Sequence, residues 1–202
     1  MTLPPLLLIT ERRCMAPSFE DALEAALQGG ARLLQLREKE LPANAALPLA
    51  RRAQQLCAAH GAQLLINSRA DIAQLAGAAG VHLPEDGLPP QSIREKFPRL
   101  LCGVSVHSVA AAQRAEREGA DYLLFGSVFP TASHPGRTPA GLARLHAVCA
   151  ATALPVFAVG GVTAANARAC REAGAHGVAV IRAVWQAASV TTAVQVLRRE
   201  LL

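Results

Sequence analysis

The chain is predicted to fold as a single-domain (β/α)8 TIM barrel spanning 1–202, and three observations lead there. Short apolar runs alternate with helical patterns through eight units in 202 residues, close to the minimum length for such a barrel. The first run is followed by "ERRCMAPS", without the Gly-x-Gly-x-x-Gly loop of a doubly wound dinucleotide-binding sheet. No linker or shift in composition marks a second domain.

The elements follow in order. Strands are expected at 6–10 ("LLLIT"), 32–38 ("RLLQLRE"), 63–67 ("QLLIN") and 80–83 ("GVHL"). The second half supplies 100–106 ("LLCGVSV"), 121–129 ("DYLLFGSVF"), 155–161 ("PVFAVGG") and 177–181 ("GVAVI"). Between them, stretches such as "SFEDALEAALQGG", "NAALPLARRAQQLCAAHG", "SVAAAQRAEREG" and "TAANARACREAG" repeat apolar residues at three- and four-residue steps. Most end in glycine, as helices do. A Gly-Ala pair recurs just ahead of strands in "GGARLLQLR", "GAAGVHL", "GADYLLFG" and "GAHGVAVI", a stability feature of the barrel floor.

Composition narrows the function classes. Apolar residues make up 51% but aromatics only 3%, so Ala, Leu and Val must build the core. The net charge of +5 comes from scattered basic residues without a stripe or interleaved aromatics, which disfavours nucleic acid and fits a small anionic ligand. Five dispersed cysteines, none in a Cys-x-x-Cys pair, argue against a disulfide framework or a zinc site. The N-terminal apolar patch is short and broken by prolines, so neither a signal peptide nor a membrane partner is expected, and the chain reads as cytoplasmic.

In barrels of this kind, chemistry sits at the carboxyl ends of strands. Gln35, Arg37 and Lys39 alternate along "QLREK" and would share one side of an extended segment. Asn67 with Ser68, His82 to Glu85, Ser105 with His107, and Ser127 with Thr131 to His134 follow later strands. Gly160-Gly161, with a helix starting beyond Thr163, offers backbone N–H groups to a phosphate. Val180, Ile181 and Arg182 would complete that nest. His82 and His107 each read as a core or capping histidine or as a mouth group. The segment "FGSVFPTASHPG" is rich in hydroxyls and prolines, as a preshaped ligand loop would be.

Together, "QLREK", "INSRADIAQLAGAAGVHL", "GVSVHS", "GADYLLFGSVFPTASHPG", "VFAVGGVTAANA" and "GAHGVAVI" resemble the thiamine phosphate synthase and thiazole tautomerase family over nearly the whole chain. The resemblance implies a barrel that binds a thiazole phosphate at its mouth. A synthase joins that thiazole to a pyrimidine methyl pyrophosphate with loss of pyrophosphate, and needs Mg²⁺ held by carboxylates. By position, Gln35, Arg37, Lys39 and Asn67 match the pyrimidine pyrophosphate segment, with Ser105 as a further substrate contact. Thr131 and Ser133 match hydroxyls that meet the thiazole. Gly160, Gly161, Val180 and Ile181 match the phosphate nest, with Arg182 beside it.

The chain departs from the synthase pattern at three places. Ser68 follows Asn67 where synthases carry a metal aspartate, Gly87 stands at the second such aspartate, and His134 replaces a loop lysine. These departures, and the look of the "SIREKFPRLL" region, favour the tautomerase branch: an isomerase needing no metal, with a proton shuttle. That branch's histidine falls on Ser127 here, so His107 or His134 is expected to stand in for it. The alternatives are a synthase, with Glu85 or Asp86 recruited to Mg²⁺, and a non-catalytic thiazole phosphate-binding relative. A small phosphorylated heterocycle is the expected partner in each case, with a possible homodimer.

Overall fold

The computed structural model describes residues 3–131, 136 and 138–202. Eight parallel strands pair in sequence order and close, β8 against β1. They are β1 (Leu6–Ile9), β2 (Leu33–Leu36), β3 (Gln63–Asn67), β4 (Gly80–Leu83), β5 (Leu101–Val106), β6 (Tyr122–Gly126), β7 (Val156–Val159) and β8 (Gly177–Val180). The helices outside are α1 (Phe19–Gln28), α2 (Ala43–Ala59), α3 (Ala70–Ala76), α4 (Pro90–Lys96), α5 (Val109–Arg117), α6 (Gly141–Ala150), α7 (Ala164–Glu172), α8 (Arg182–Trp185) and α9 (Val190–Glu200). This is the predicted (β/α)8 TIM barrel.

The strands read as nearly continuous apolar runs because both of their faces are covered. Alternate residues divide between two cores. Leu8, Leu34, Leu64, Val81, Cys102, Leu123, Ala158 and Val178 face the helices, while Leu7, Leu33, Leu65, Tyr122, Phe157 and Ala179 fill the barrel. Two of the chain's few aromatics therefore lie inside, Tyr122 edge-on to Phe157 at 5.7 Å between ring centres.

Three strands end two or more residues earlier than their apolar runs predict. The expected strand 121–129 stops at Gly126. Val128 is buried all the same, and its N–H donates to the Val159 carbonyl; it belongs to a loop folded under the mouth, which apolarity alone cannot distinguish from a strand. The expected strand 155–161 stops at Val159, ahead of the two glycines, and 32–38 stops at Leu36. The Gly-Ala repeats behave as expected: Gly30, Gly77, Gly119 and Gly174 all have positive φ between helix and strand, where L-residues other than glycine are disfavoured.

The ring closes through its last unit, which carries two helices. The Trp185 indole N–H donates to the Ile9 carbonyl at 2.7 Å, and the Thr191 hydroxyl donates to the Ala25 carbonyl at 2.9 Å. These bonds hold α8 against β1 and α9 against α1, and so fix the mouth next to residues 180–182. Among the described residues, no helix is long and apolar enough to cross a membrane.

Candidate functional site

The carboxyl ends of the strands surround a cavity of about 770 Å³, large enough for one or two small organic ligands. The side chains that strand alternation turns inward divide it into two halves. On β2 to β5 the top inward residues are polar: Gln35, Asn67, His82 and Ser105. From β6 round to β1 they are small or apolar: Gly126, Val159, Ile181 and Ile9. All of the expected substrate and phosphate residues that fall within the described part line this one cavity.

In the polar half, Gln35 is 1% exposed, and its Nε2 donates to Asn67 Oδ1 at 3.4 Å. Its Oε1 has no hydrogen-bond partner. A buried carbonyl oxygen with nothing to accept from is costly unless a ligand supplies the donor. Asn67 in turn donates to Ser68 Oγ at 3.0 Å, and Ser68 has φ +62°, unusual for a residue other than glycine.

Arg37 and Lys39 also line the cavity, beyond the end of β2 at Leu36. Glu38, between them, anchors the backbone at Arg37 through Thr10. Its carboxylate accepts from the Thr10 hydroxyl at 2.7 Å, from the Arg12 N–H at 3.2 Å and from Arg12 Nε at 3.3 Å. Thr10 Oγ1 then accepts from the Arg37 N–H at 3.0 Å. Burial pushes the Glu38 carboxyl up, and the Thr10 and Arg12 bonds oppose that rise. The sequence reading missed Glu38 because charge alone does not distinguish an anchor from a solvated residue.

In the opposite half, Gly160 and Gly161 have φ of +95° and +67°. A Cβ on Gly161 would lie 2.4 Å from the Pro130 carbonyl oxygen, and one on Gly160 2.6 Å from Ser127 Cα. Only glycine lets this turn pass against the β6 loop. Thr163 and Asn166 form a capping box at the start of α7, and Asn166 Nδ2 also donates to the Gly161 carbonyl at 3.0 Å. Among the described residues, the N–H groups of Gly161 and Val162 have no backbone acceptor. Val180, Ile181 and Arg182 face the same turn across the cavity rim, and Arg182 Nε approaches Glu11 Oε2 at 3.6 Å.

The histidines separate. His82 is buried, with Nδ1 at 3.0 Å from the Tyr122 hydroxyl and Nε2 at 2.9 Å from Ser105 Oγ. Burial, and secondarily the Arg37 charge, depress its pKa to about 3. His107 sits at the rim, with Nδ1 2.6 Å from Glu85 Oε2, and Arg114 approaches the other Glu85 oxygen at 3.8 Å. Ser127 and Thr131 line the cavity; Ser133 and His134 lie outside the described residues. Burial raises the thiols of Cys57 and Cys102 to about 12 and those of Cys149 and Cys170 to about 11, so these four stay protonated and unreactive at neutral pH.

Residues 6–184 match the thiamine monophosphate synthase family. The chain belongs to that family. It is 44% identical over 180 residues to the thiamine-phosphate synthase of Methanoculleus marisnigri, covering 88% of this chain and 85% of that protein. The thiamine-phosphate synthase of Desulfitobacterium hafniense (strain Y51) is 42% identical over 182 residues, covering 89% and 88%. A solved structure, the thiamine phosphate pyrophosphorylase from Pyrococcus furiosus, superposes with a TM-score of 0.90 at 35% identity, covering 98% of this chain and 95% of that one.

These relatives correct the lean to the tautomerase branch. The relatives named above are synthases or a pyrophosphorylase, so a thiazole tautomerase-type isomerase is not supported and a transferase takes its place. The lean rested on single substitutions at 68, 87 and 134 and on the look of one segment, whereas the family match extends over residues 6–184.

Proposed function

We propose that this member of the thiamine monophosphate synthase family is a transferase that joins a thiazole phosphate to a pyrimidine methyl pyrophosphate and releases pyrophosphate. The two-halved mouth carries this reading. One half holds an unpartnered buried acceptor on Gln35 with two cations beside it; the other is a glycine turn with open N–H groups. An amino-substituted pyrimidine supplies the donor that Gln35 Oε1 lacks, and Asn67 keeps the Gln35 amide turned so that this oxygen is free to accept.

Arg37 and Lys39 take the pyrophosphate. As its bond to the pyrimidine methylene breaks, negative charge grows on the leaving oxygens, and fixed cations stabilise that charge more than they stabilise the ground state. The Thr10–Glu38–Arg12 cluster sets the backbone at Arg37 beforehand, so less ordering remains for the moment of reaction. Across the mouth, Gly161 and Val162 hold the thiazole phosphate, with Ile181 and Arg182 on its other side and Ser127 and Thr131 beside the ring. This fixes the thiazole nitrogen opposite the pyrimidine methylene, where it captures the cation. His107, held by Glu85, borders the pyrophosphate side of the rim.

The resemblance implies Mg²⁺ held by two aspartates, and the residues present do not fit it at those positions. Ser68 offers a neutral hydroxyl in place of a carboxylate, and Gly87 has no side chain to offer. Glu85 is engaged by His107 and Arg114, which leaves Asp86 as the loop's other carboxylate. Mg²⁺ is usually held through one or two carboxylates together with substrate phosphates, and neither of the two matching positions supplies a carboxylate. The leaving charge is therefore assigned here to the side-chain cations.

The test is direct. Both substrates are mixed with the protein, with added Mg²⁺ and separately with a chelator, and pyrophosphate release is followed. Release that survives the chelator and falls about a hundredfold in Arg37→Ala supports the reading. No release at high enzyme concentration under either condition ends it.

A further inference from the structure

The mouth rests on a buried polar chain that the proposed chemistry does not use. Tyr122, His82 and Ser105 come from three neighbouring strands, β6, β4 and β5, and join across the barrel through contacts of 3.0 and 2.9 Å. Tyr122 is fully buried and His82 is 3% exposed, while Ser105 borders the cavity. The arrangement depends on Gly103, one layer below Ser105. A Cβ there would lie 1.9 Å from the Tyr122 ring and 2.3 Å from its hydroxyl, so any other residue would displace the phenol.

A neutral imidazole has one N–H and one lone pair, so its two hydroxyl partners must play opposite roles. Among the described residues, the Tyr122 hydroxyl has no partner besides His82. If it accepted from Nδ1–H, its own proton would be buried without an acceptor, an arrangement that folded proteins avoid. Tyr122 therefore donates to Nδ1. The ring proton then lies on Nε2 and is donated to Ser105 Oγ, and the Ser105 proton is left to point at whatever occupies the mouth. Burial, which keeps the imidazole neutral, keeps this order in place.

We propose that Tyr122 and His82 form a buried relay that fixes the Ser105 hydroxyl as a donor toward the ligand, which makes His82 a positioning residue. The ligand atom at Ser105 must then be an acceptor, such as an unprotonated ring nitrogen. Gln35 Oε1 makes the opposite demand, for a donor. A heterocycle carrying both an amino group and a bare ring nitrogen meets the two demands at once. This last step rests on the function proposed above; the relay itself does not.

The relay is tested first without any ligand. Nitrogen NMR of the histidine rings, with His82 assigned by its loss in His82→Gln, should show Nε2 protonated and Nδ1 bare from pH 5 to 8. A ring protonated on Nδ1, or one that titrates in that range, overturns the proposal. The second arm measures binding of the pyrimidine pyrophosphate substrate by calorimetry. His82→Leu and Ser105→Ala should each weaken it about tenfold, and the double variant no more than either alone. His82→Gln, whose amide can still donate to Ser105, should stay within about threefold of wild type. Additive losses, or a folded His82→Gln as weak as His82→Leu, refute the positioning role. If no variant and no wild type binds the substrate, the proposed function fails while the NMR result still decides the relay.

Discussion

Gly161→Ala probes the phosphate turn and the mouth together. At φ +67° an alanine is disfavoured by about 1–2 kcal/mol. Its Cβ would also meet the Pro130 carbonyl at 2.4 Å and Phe129 Cβ at 2.8 Å, an overlap that costs roughly 1–3 kcal/mol in a tightly packed region. In a domain of this size each kcal/mol lowers Tm by about 2–4 °C, so the variant should melt roughly 4–20 °C below wild type. Gly77→Ala is the control: it shares the positive φ, at +69°, but its Cβ meets nothing within 4 Å, so it should lose only the conformational part. The assay is scanning calorimetry with and without a thiazole phosphate. At 100 times its dissociation constant, that ligand stabilises the wild type and Gly77→Ala by about 2.7 kcal/mol. Gly161→Ala should lose most of this gain, because the turn can escape the overlap only by moving its N–H groups. A Gly161→Ala protein with an unchanged Tm and a full ligand shift would refute the role given to the turn.

Four further outcomes follow from particular residues. Arg37→Ala should weaken binding of inorganic pyrophosphate roughly 10- to 100-fold by calorimetry, and an unchanged affinity would move the pyrophosphate elsewhere in the mouth. The buried His82 titrates near 3 against 6.5 for an exposed ring, so below 6.5 the unfolded chain binds a proton that the folded chain refuses. Stability is therefore full above 6.5 and falls by about 1.4 kcal/mol per pH unit below it; urea melts at pH 7 and 5 should show that slope, and His82→Gln should lack it. Tyr122 is the only tyrosine, and burial holds its pKa well above 10, so tyrosinate absorbance should appear only as the barrel unfolds in alkali; a smooth rise near 10 from folded protein would contradict its burial. Ser68→Asp with Gly87→Asp should raise Mg²⁺ affinity about tenfold or more by calorimetry, since two carboxylates suffice to bind the ion; no gain would show that the mouth is closed to Mg²⁺ for reasons other than these two positions.

Much of the site could be read from the sequence wherever a residue's role follows from its position along the strand. Gln35, Asn67, Ser105 and the diglycine were placed by the rule that barrel chemistry gathers at strand carboxyl ends, and each lines the cavity. Arg37 and Lys39 line it too, but the Thr10–Glu38 cluster that holds the backbone at Arg37 was not legible in the sequence. The lean to an isomerase weighed three substitutions, at 68, 87 and 134, above the kinship of the whole chain.

The sequence by itself determined the barrel, its strand order and the rim that carries polar groups, because period and glycine spacing are local properties that survive in one dimension. Only the tertiary structure decided that Tyr122 reaches His82 over the space left by Gly103, that Glu38 is an anchor, and that Gln35 keeps an unmet acceptor. Those facts depend on which atoms meet across strands far apart in the chain, and on which of them are shut off from water. Neither quantity is written in the order of the residues.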